Sequence, residues 1–165
     1  GHILDLGAWP GGWMQVAAER VGDTGLVVGI DLKEINPIGS ENSVVLQGDA
    51  SDDTNIEKLH QLSPGGYDSV LSDMSPNLTG IKEADRAASE GCAELTLFIA
   101  QKMLRPGGTM VVKVFKSNEA QLFVKTLQPL FNSIRRLELD ATRKSSNEFY
   151  VVATGFKPQS QNSTI

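Results

Sequence analysis

Cysteine is nearly absent from this 165-residue chain, in which Cys92 stands alone. A single thiol excludes a disulfide framework and a cysteine-rich metal site. No run of about 18 or more apolar residues occurs, which excludes a membrane-spanning helix, and no basic stretch leads into an apolar one in the manner of a signal peptide. Internal repeats and low-complexity core segments are missing too. So is an excess of basic charge: 15 Lys+Arg face 20 Asp+Glu, a formal charge of −5. Taken as one sum, that charge argues against a nucleic-acid partner. The sum hides an asymmetry, because residues 1–104 carry 6 basic and 16 acidic side chains while residues 105–165 carry 9 and 4. With 40% hydrophobic and 21% charged residues, the composition is that of one soluble globular domain large enough to bury a core.

Short apolar runs alternate with longer amphipathic ones, the pattern of βαβ units and a parallel sheet. Strands are expected at residues 2–6, 26–31, 44–47, 69–73, 109–114, 134–139 and 149–154. Helices are expected at 12–21, 55–62, 87–104 and 119–131. Gly22 and Gly25, Pro64-Gly65-Gly66 and Pro106-Gly107-Gly108 punctuate the ends of the first three helices. Only residues 140–148 separate the last two strands, too few for a crossover helix, so these strands should pair antiparallel. The fold class is therefore α/β, a Rossmann-like, seven-stranded, mostly parallel sheet with helices on both faces and an antiparallel last strand. In such a sheet ligands bind beyond the carboxyl ends of the strands, where strand order reverses.

After the first strand comes Asp5-Leu6-Gly7-Ala8-Trp9-Pro10-Gly11-Gly12-Trp13. Its glycines permit a tight turn and close backbone approach to a ligand at a helix N-terminus. It is not G-x-G-x-x-G, since Trp9 occupies the second glycine's place, and this weighs against a nicotinamide dehydrogenase. The second strand ends in Asp31, placed to accept ribose hydroxyls, and the third is followed by Asp49, placed to accept from an adenine amino group. Two carboxylates with no basic partner suit a nucleoside that carries no phosphates, such as S-adenosylmethionine (SAM). The fourth strand ends in Ser72-Asp73-Met74-Ser75-Pro76-Asn77. An amino-group methyltransferase would be expected to show Pro-Pro-aromatic there. In the fifth strand Lys113 interrupts Val111-Val112-Lys113-Val114-Phe115. A lone buried ammonium is expensive, so Lys113 calls for an anionic partner, with Asp73 the natural one and Glu148 able to complete the cluster.

These four segments, with Arg143-Lys144-Ser145-Ser146-x-Glu148-x-Tyr150, resemble the FtsJ/RrmJ family of SAM-dependent ribose 2′-O-methyltransferases over residues 3–158. The resemblance implies a SAM-methyltransferase fold and a Lys-Asp-Lys-Glu catalytic tetrad. Asp73, Lys113 and Glu148 match its last three members, and Gly11, Trp13, Asp31, Asp49 and Asp73 match cofactor-contacting positions. It implies SAM as cofactor with no metal, and as substrate a uridine of large-subunit, 23S-type ribosomal RNA. Transfer RNA or an mRNA cap is the alternative substrate. A non-catalytic SAM- or RNA-binding module is the alternative role, because the tetrad's first lysine lies in the family on a helix ahead of the first strand. The chain is accordingly read as a trimmed or processed form, with residues 1–158 as the methyltransferase domain and 159–165 as a polar tail. Trp9, in place of a small residue, is expected to narrow the glycine loop. RNA is expected to approach over the basic C-terminal half, with Arg135, Arg136, Arg143, Lys144, Lys116 and Lys125 as phosphate contacts. No RNP-type aromatic motif is present, so recognition should rest on RNA shape. A monomer without membrane association is expected, located in the cytoplasm, or in mitochondria if a transit peptide has been removed.

Overall fold

The computed structural model describes residues 1–76, 79–139 and 147–160. Asn77, the loop residues Arg143, Lys144, Ser145 and Ser146, and the end of the tail lie outside the described residues. The elements run β1 (His2–Leu6), α1 (Gly12–Val21), β2 (Leu26–Asp31), β3 (Ser43–Gln47), α2 (Asp53–Leu62) and β4 (Tyr67–Ser72). They continue with α3 (Lys82–Met103), β5 (Leu104–Phe115), α4 (Asn118–Leu127), β6 (Phe131–Leu137) and β7 (Glu148–Phe156). The seven strands form one sheet in the order β3-β2-β1-β4-β5-β7-β6. Strand β7 runs antiparallel to both of its neighbours, and the other described pairings are parallel. Strand order reverses between β1 and β4, which opens the crevice at their carboxyl ends.

Successive residues of a strand face opposite sides of the sheet, and the two sides are packed differently. One side carries Leu4, Leu6, Val28, Ile30, Val70, Met110, Val112, Val114, Phe149 and Val151, which form the main core with Leu59 of α2, Ile99 and Met103 of α3 and Leu127 of α4. On the other side α1 seals a smaller core, Met14, Ala17 and Ala18 against Val27 and Ile35. Gly29 makes this close contact possible, because a Cβ there would stand 2.1 Å from the Met14 sulfur. Full burial of Met14 contributes roughly 1.5–3 kcal/mol. Along β5 the alternation leaves Val111, Lys113 and Phe115 half-buried between fully buried neighbours. No described helix is long and apolar enough to cross a membrane.

The larger differences from the expected element boundaries fall at three places. Helix α3 begins at Lys82 rather than 87, because Asp85 reaches back to accept from the Thr79 N–H at 2.7 Å, the Thr79 hydroxyl at 2.9 Å and the Gly80 N–H at 3.1 Å. Glu83 and Asp85 in its first turn also complement the helix dipole. Strand β5 begins at Leu104, ahead of the Pro106-Gly107-Gly108 punctuation. Leu104 pairs with Tyr67 and Thr109 with Ser69, so the intervening residues bulge outward, with Gly107 at φ +82°. Arg105 secures the bulge by pairing with Asp68 at 3.1 Å and donating to the Gly66 carbonyl at 2.8 Å. Helix α4 stops at Leu127 because Pro129 has no N–H to continue it, and Phe131 becomes the first residue of β6, paired with Phe156.

Candidate active site

The glycine loop joins β1 to α1 at the switch point. Gly7, at φ +69°, and Ala8 both donate to the Ile30 carbonyl, at 2.9 and 3.2 Å. A side chain at Gly7 would meet Met74, the residue after Asp73, at 2.3 Å. The Trp9-Pro10 peptide bond is cis, and Gly11, at φ +117°, caps α1. Trp9, expected to narrow this loop, stands at its surface. Its ring is 49% exposed, with the Lys33 ammonium 4.1 Å above it. Cation–π contact with Lys33 holds the indole there.

Asp31 ends β2 and accepts from the Trp9 N–H at 3.0 Å and from the Lys33 N–H at 2.8 Å. These bonds fix the carboxylate while leaving lone pairs for a ligand. Asp49 follows β3 and accepts from both the N–H and the hydroxyl of Ser51, at 2.8 and 2.6 Å, which hold its carboxyl below the usual range. Asn55 of α2 donates to the Asp49 carbonyl at 2.7 Å and steadies the turn.

Asp73, Lys113 and Glu148, from three different strand ends, come together. The Lys113 Nζ is 3.3 Å from the Asp73 Oδ1 and 3.9 Å from the Glu148 Oε2, and its side chain is only 13% exposed. It also donates to the Ser75 hydroxyl. Strand register explains the gathering: Tyr150 stands opposite Lys113, and Glu148 opposite Phe115. The Tyr150 hydroxyl donates to Asp73 at 2.6 Å, and its ring lies 5.7 Å from that of Trp13. Burial, then the Asp73 hydrogen bond and the nearby carboxylates, raise the Tyr150 phenol, which therefore keeps its proton. Trp13 and Tyr150 thus join the glycine turn to the lysine cluster.

Sequence reasoning assigned no role to Tyr150 or Ser75. Period-two alternation from Glu148 was the available signal for Tyr150, since both face one side of β7. It also passed over Asp5 as a titrating group. Asp5 is 1% exposed, its Oδ2 has no hydrogen-bond partner among the described residues, and burial, then Asp73 and Asp31, push its carboxyl up to about 7. Around the β1–β4 crevice, Asp5, Asp31, Asp49 and Asp73 outnumber Lys113. A phosphate-rich ligand would be repelled by Asp31, Asp49 and Asp73, which suit a nucleoside without phosphates.

A Rossmann-like sheet of this order, with a glycine turn and carboxylates on successive strand ends, defines the class of SAM-dependent methyltransferases. Aeropyrum pernix fibrillarin, solved with natively bound SAM, shares the fold at TM-score 0.66 and 19% identity over 93% of this chain and 66% of that one. A Plasmodium falciparum protein assigned as a ribosomal RNA methyltransferase superimposes at TM-score 0.81, with 27% identity over 96% of this chain and 87% of the other. Residues 1–156 match the FtsJ-like methyltransferase family, and the chain belongs to it. Ribosomal RNA large subunit methyltransferase E of Syntrophobacter fumaroxidans is 44% identical over 92% of this chain and 76% of that protein. Its namesake from Halorubrum lacusprofundi is 40% identical over 93% of this chain and 57% of that protein. The chain thus spans between 57% and 76% of the length of these two relatives.

Proposed function

We propose that the protein transfers a methyl group from SAM to a ribose 2′-hydroxyl of RNA, with a uridine of large-subunit ribosomal RNA as target. The observation that carries this reading is the nearly enclosed Lys113 ammonium between Asp73 and Glu148, beside the cofactor-fitting carboxylates. Relatives named for large-subunit ribosomal RNA support the choice of substrate. Gly11, Trp13, Asp31, Asp49 and Asp73 would hold SAM: Asp31 by its free lone pairs to the ribose, and Asp49 to the adenine amino group. When bound, SAM supplies a methyl carbon on a sulfonium whose sulfur departs as a neutral thioether.

The chemical difficulty is the nucleophile, because a ribose hydroxyl is hardly ionised at neutral pH. As the O–C bond forms and the C–S bond breaks, the hydroxyl proton passes to solvent water, and Lys113 stabilises the negative charge that develops on the oxygen. Asp73 and Glu148 orient the lysine, and Tyr150 fixes Asp73 from the other side. Holding hydroxyl and methyl in line supplies much of the remaining acceleration. Lys113→Ala is expected to abolish tritium transfer from SAM to RNA while SAM affinity stays within a few-fold. Full activity in that variant rejects the assignment.

A further inference from the structure

Beyond the lysine cluster, at the same end of the sheet, a recess of about 460 Å³ lies between the start of α3, the end of β5, the start of α4 and the end of β6. We infer that this recess seats a backbone phosphate of the RNA next to the target nucleotide, with Arg136 as its principal contact; this rests on the RNA reading of the active site.

Three cations from three parts of the fold line it: Arg86 of α3, Lys116 after β5 and Arg136 of β6. Glu138 is the lining carboxylate, and Lys116 already pairs with it at 3.0 Å. Arg86 has Glu119 at 3.9 Å. Arg136 has no carboxylate partner among the described residues. Its guanidinium lies over the Phe149 ring, 4.8 Å from the centroid, and Phe149 is 2% exposed and therefore fixed. A guanidinium held by a ring face keeps the N–H donors at its edge free for the two oxygens of a phosphate. The neutral amide of Gln121 lines the same recess.

Position matches charge. Lys116 lies three residues beyond Lys113 on one extended segment, so its Cα is about 10 Å further along. The Lys113 cluster lies on the α1 side of the sheet and this recess on the α3/α4 side, both at the carboxyl rim, so an RNA strand that crosses the rim offers a ribose to the one and a phosphate to the other. The contrast with the carboxylate-rich β1–β4 crevice separates the two ligands. The carboxylate-rich strand ends suit SAM, and the cation-lined recess suits the RNA backbone.

The test measures methylation kinetics on ribosomal RNA, fluorescence anisotropy of a labelled RNA oligonucleotide, and SAM affinity, for the wild type, Arg136→Glu and Gln121→Glu. The second variant places a carboxylate in the recess without disturbing the Arg136–Phe149 stack, and thermal melting checks folding of both. The inference expects KM and Kd for RNA to rise about tenfold in Arg136→Glu. It expects the slope of log Kd against log salt to fall by about one in Arg136→Glu and SAM affinity to hold in both variants. Arg136→Lys should recover part of the loss, because charge returns without the fork. Unchanged KM, Kd and salt slope in folded Arg136→Glu overturn the inference. Inorganic phosphate that binds the wild type but not Arg136→Glu, with RNA binding equal in both, also overturns it by marking a free-anion site. A wild type that binds RNA through Arg136 yet transfers no methyl group sinks the proposed activity and leaves the phosphate seat standing.

Discussion

The cofactor side and the lysine side of the site are held by different kinds of contact. Asp49 is fixed by Ser51 and Asp31 by Lys33, each two residues further along, with the Trp9 N–H of the glycine turn as the second donor to Asp31. Lys113 is fixed by Ser75, 38 residues away, and Tyr150 reaches 77 residues back to Asp73. The first arrangement forms wherever the strand ends and the turn begins, while the second exists only when β4, β5 and β7 are in register. Damage should therefore stay local on the cofactor side and spread on the lysine side.

The largest expected effect is at Asp73, which serves both sides of the comparison. Asp73→Asn removes the charge facing Lys113 and weakens the acceptor for Tyr150, and turnover should fall by about 10²- to 10⁴-fold. Single-turnover assays at saturating SAM check this. A loss confined to SAM affinity would place Asp73 wholly on the cofactor side and break the division.

Next comes Asp5, buried beneath the glycine turn. Its folded value of about 7 lies above the ordinary 3.8, so the native state binds this proton more tightly than the unfolded chain does. The stability contributed is fully present below about pH 4 and is lost as pH rises through 7, with a ceiling of about 4 kcal/mol. Asp5→Asn should match the wild type in acid and exceed it at pH 8 in denaturant midpoint. Parallel pH profiles for the two proteins would refute a buried, uncompensated carboxylate at this position.

A smaller effect is expected at Asp31. Asp31→Asn keeps one acceptor oxygen but loses the charge that gathers the Trp9 and Lys33 N–H groups. SAM affinity should fall about 10- to 100-fold, equivalent to roughly 1.5–3 kcal/mol, while turnover at saturating SAM changes little. Isothermal titration beside steady-state kinetics separates the two. A matching loss in turnover would show that the cofactor side is not local after all.

Much of this was readable from the residues. Alternating apolar and amphipathic runs placed all seven strands and all four helices, and the five-stranded parallel part follows from segments too distant to be joined by hairpins. Asp31, Asp49 and Asp73 were legible because each lies within three residues of the end of an apolar run, and Lys113 because it breaks one. The early start of α3 was not legible, since its polar first turns show no apolar period and depend on Asp85 reaching back to Thr79. The outward Trp9 was hidden for a similar reason: the Lys33 above it arrives from another strand end.

The charge asymmetry gained meaning from the fold. The formal charge of −5 averages over unlike regions, because Asp5, Asp31, Asp49 and Asp73 stand at or near the carboxyl ends of β1 to β4 while Arg86, Lys116 and Arg136 line the recess beside α4. Arg86 comes from the acidic half of the chain, so the basic recess is not simply the basic half of the sequence.

The sequence alone determined the elements, the glycine turn and the carboxylates at the strand ends, because apolar periodicity, glycine's backbone freedom and hydrogen bonds across two residues act over short stretches of chain. Only the tertiary structure decided that Tyr150 faces Lys113, that the Asp5 Oδ2 finds no partner among the described residues, and that Arg136 stacks on Phe149. Those depend on strand register and on the exclusion of water between packed layers, which no local stretch of chain specifies.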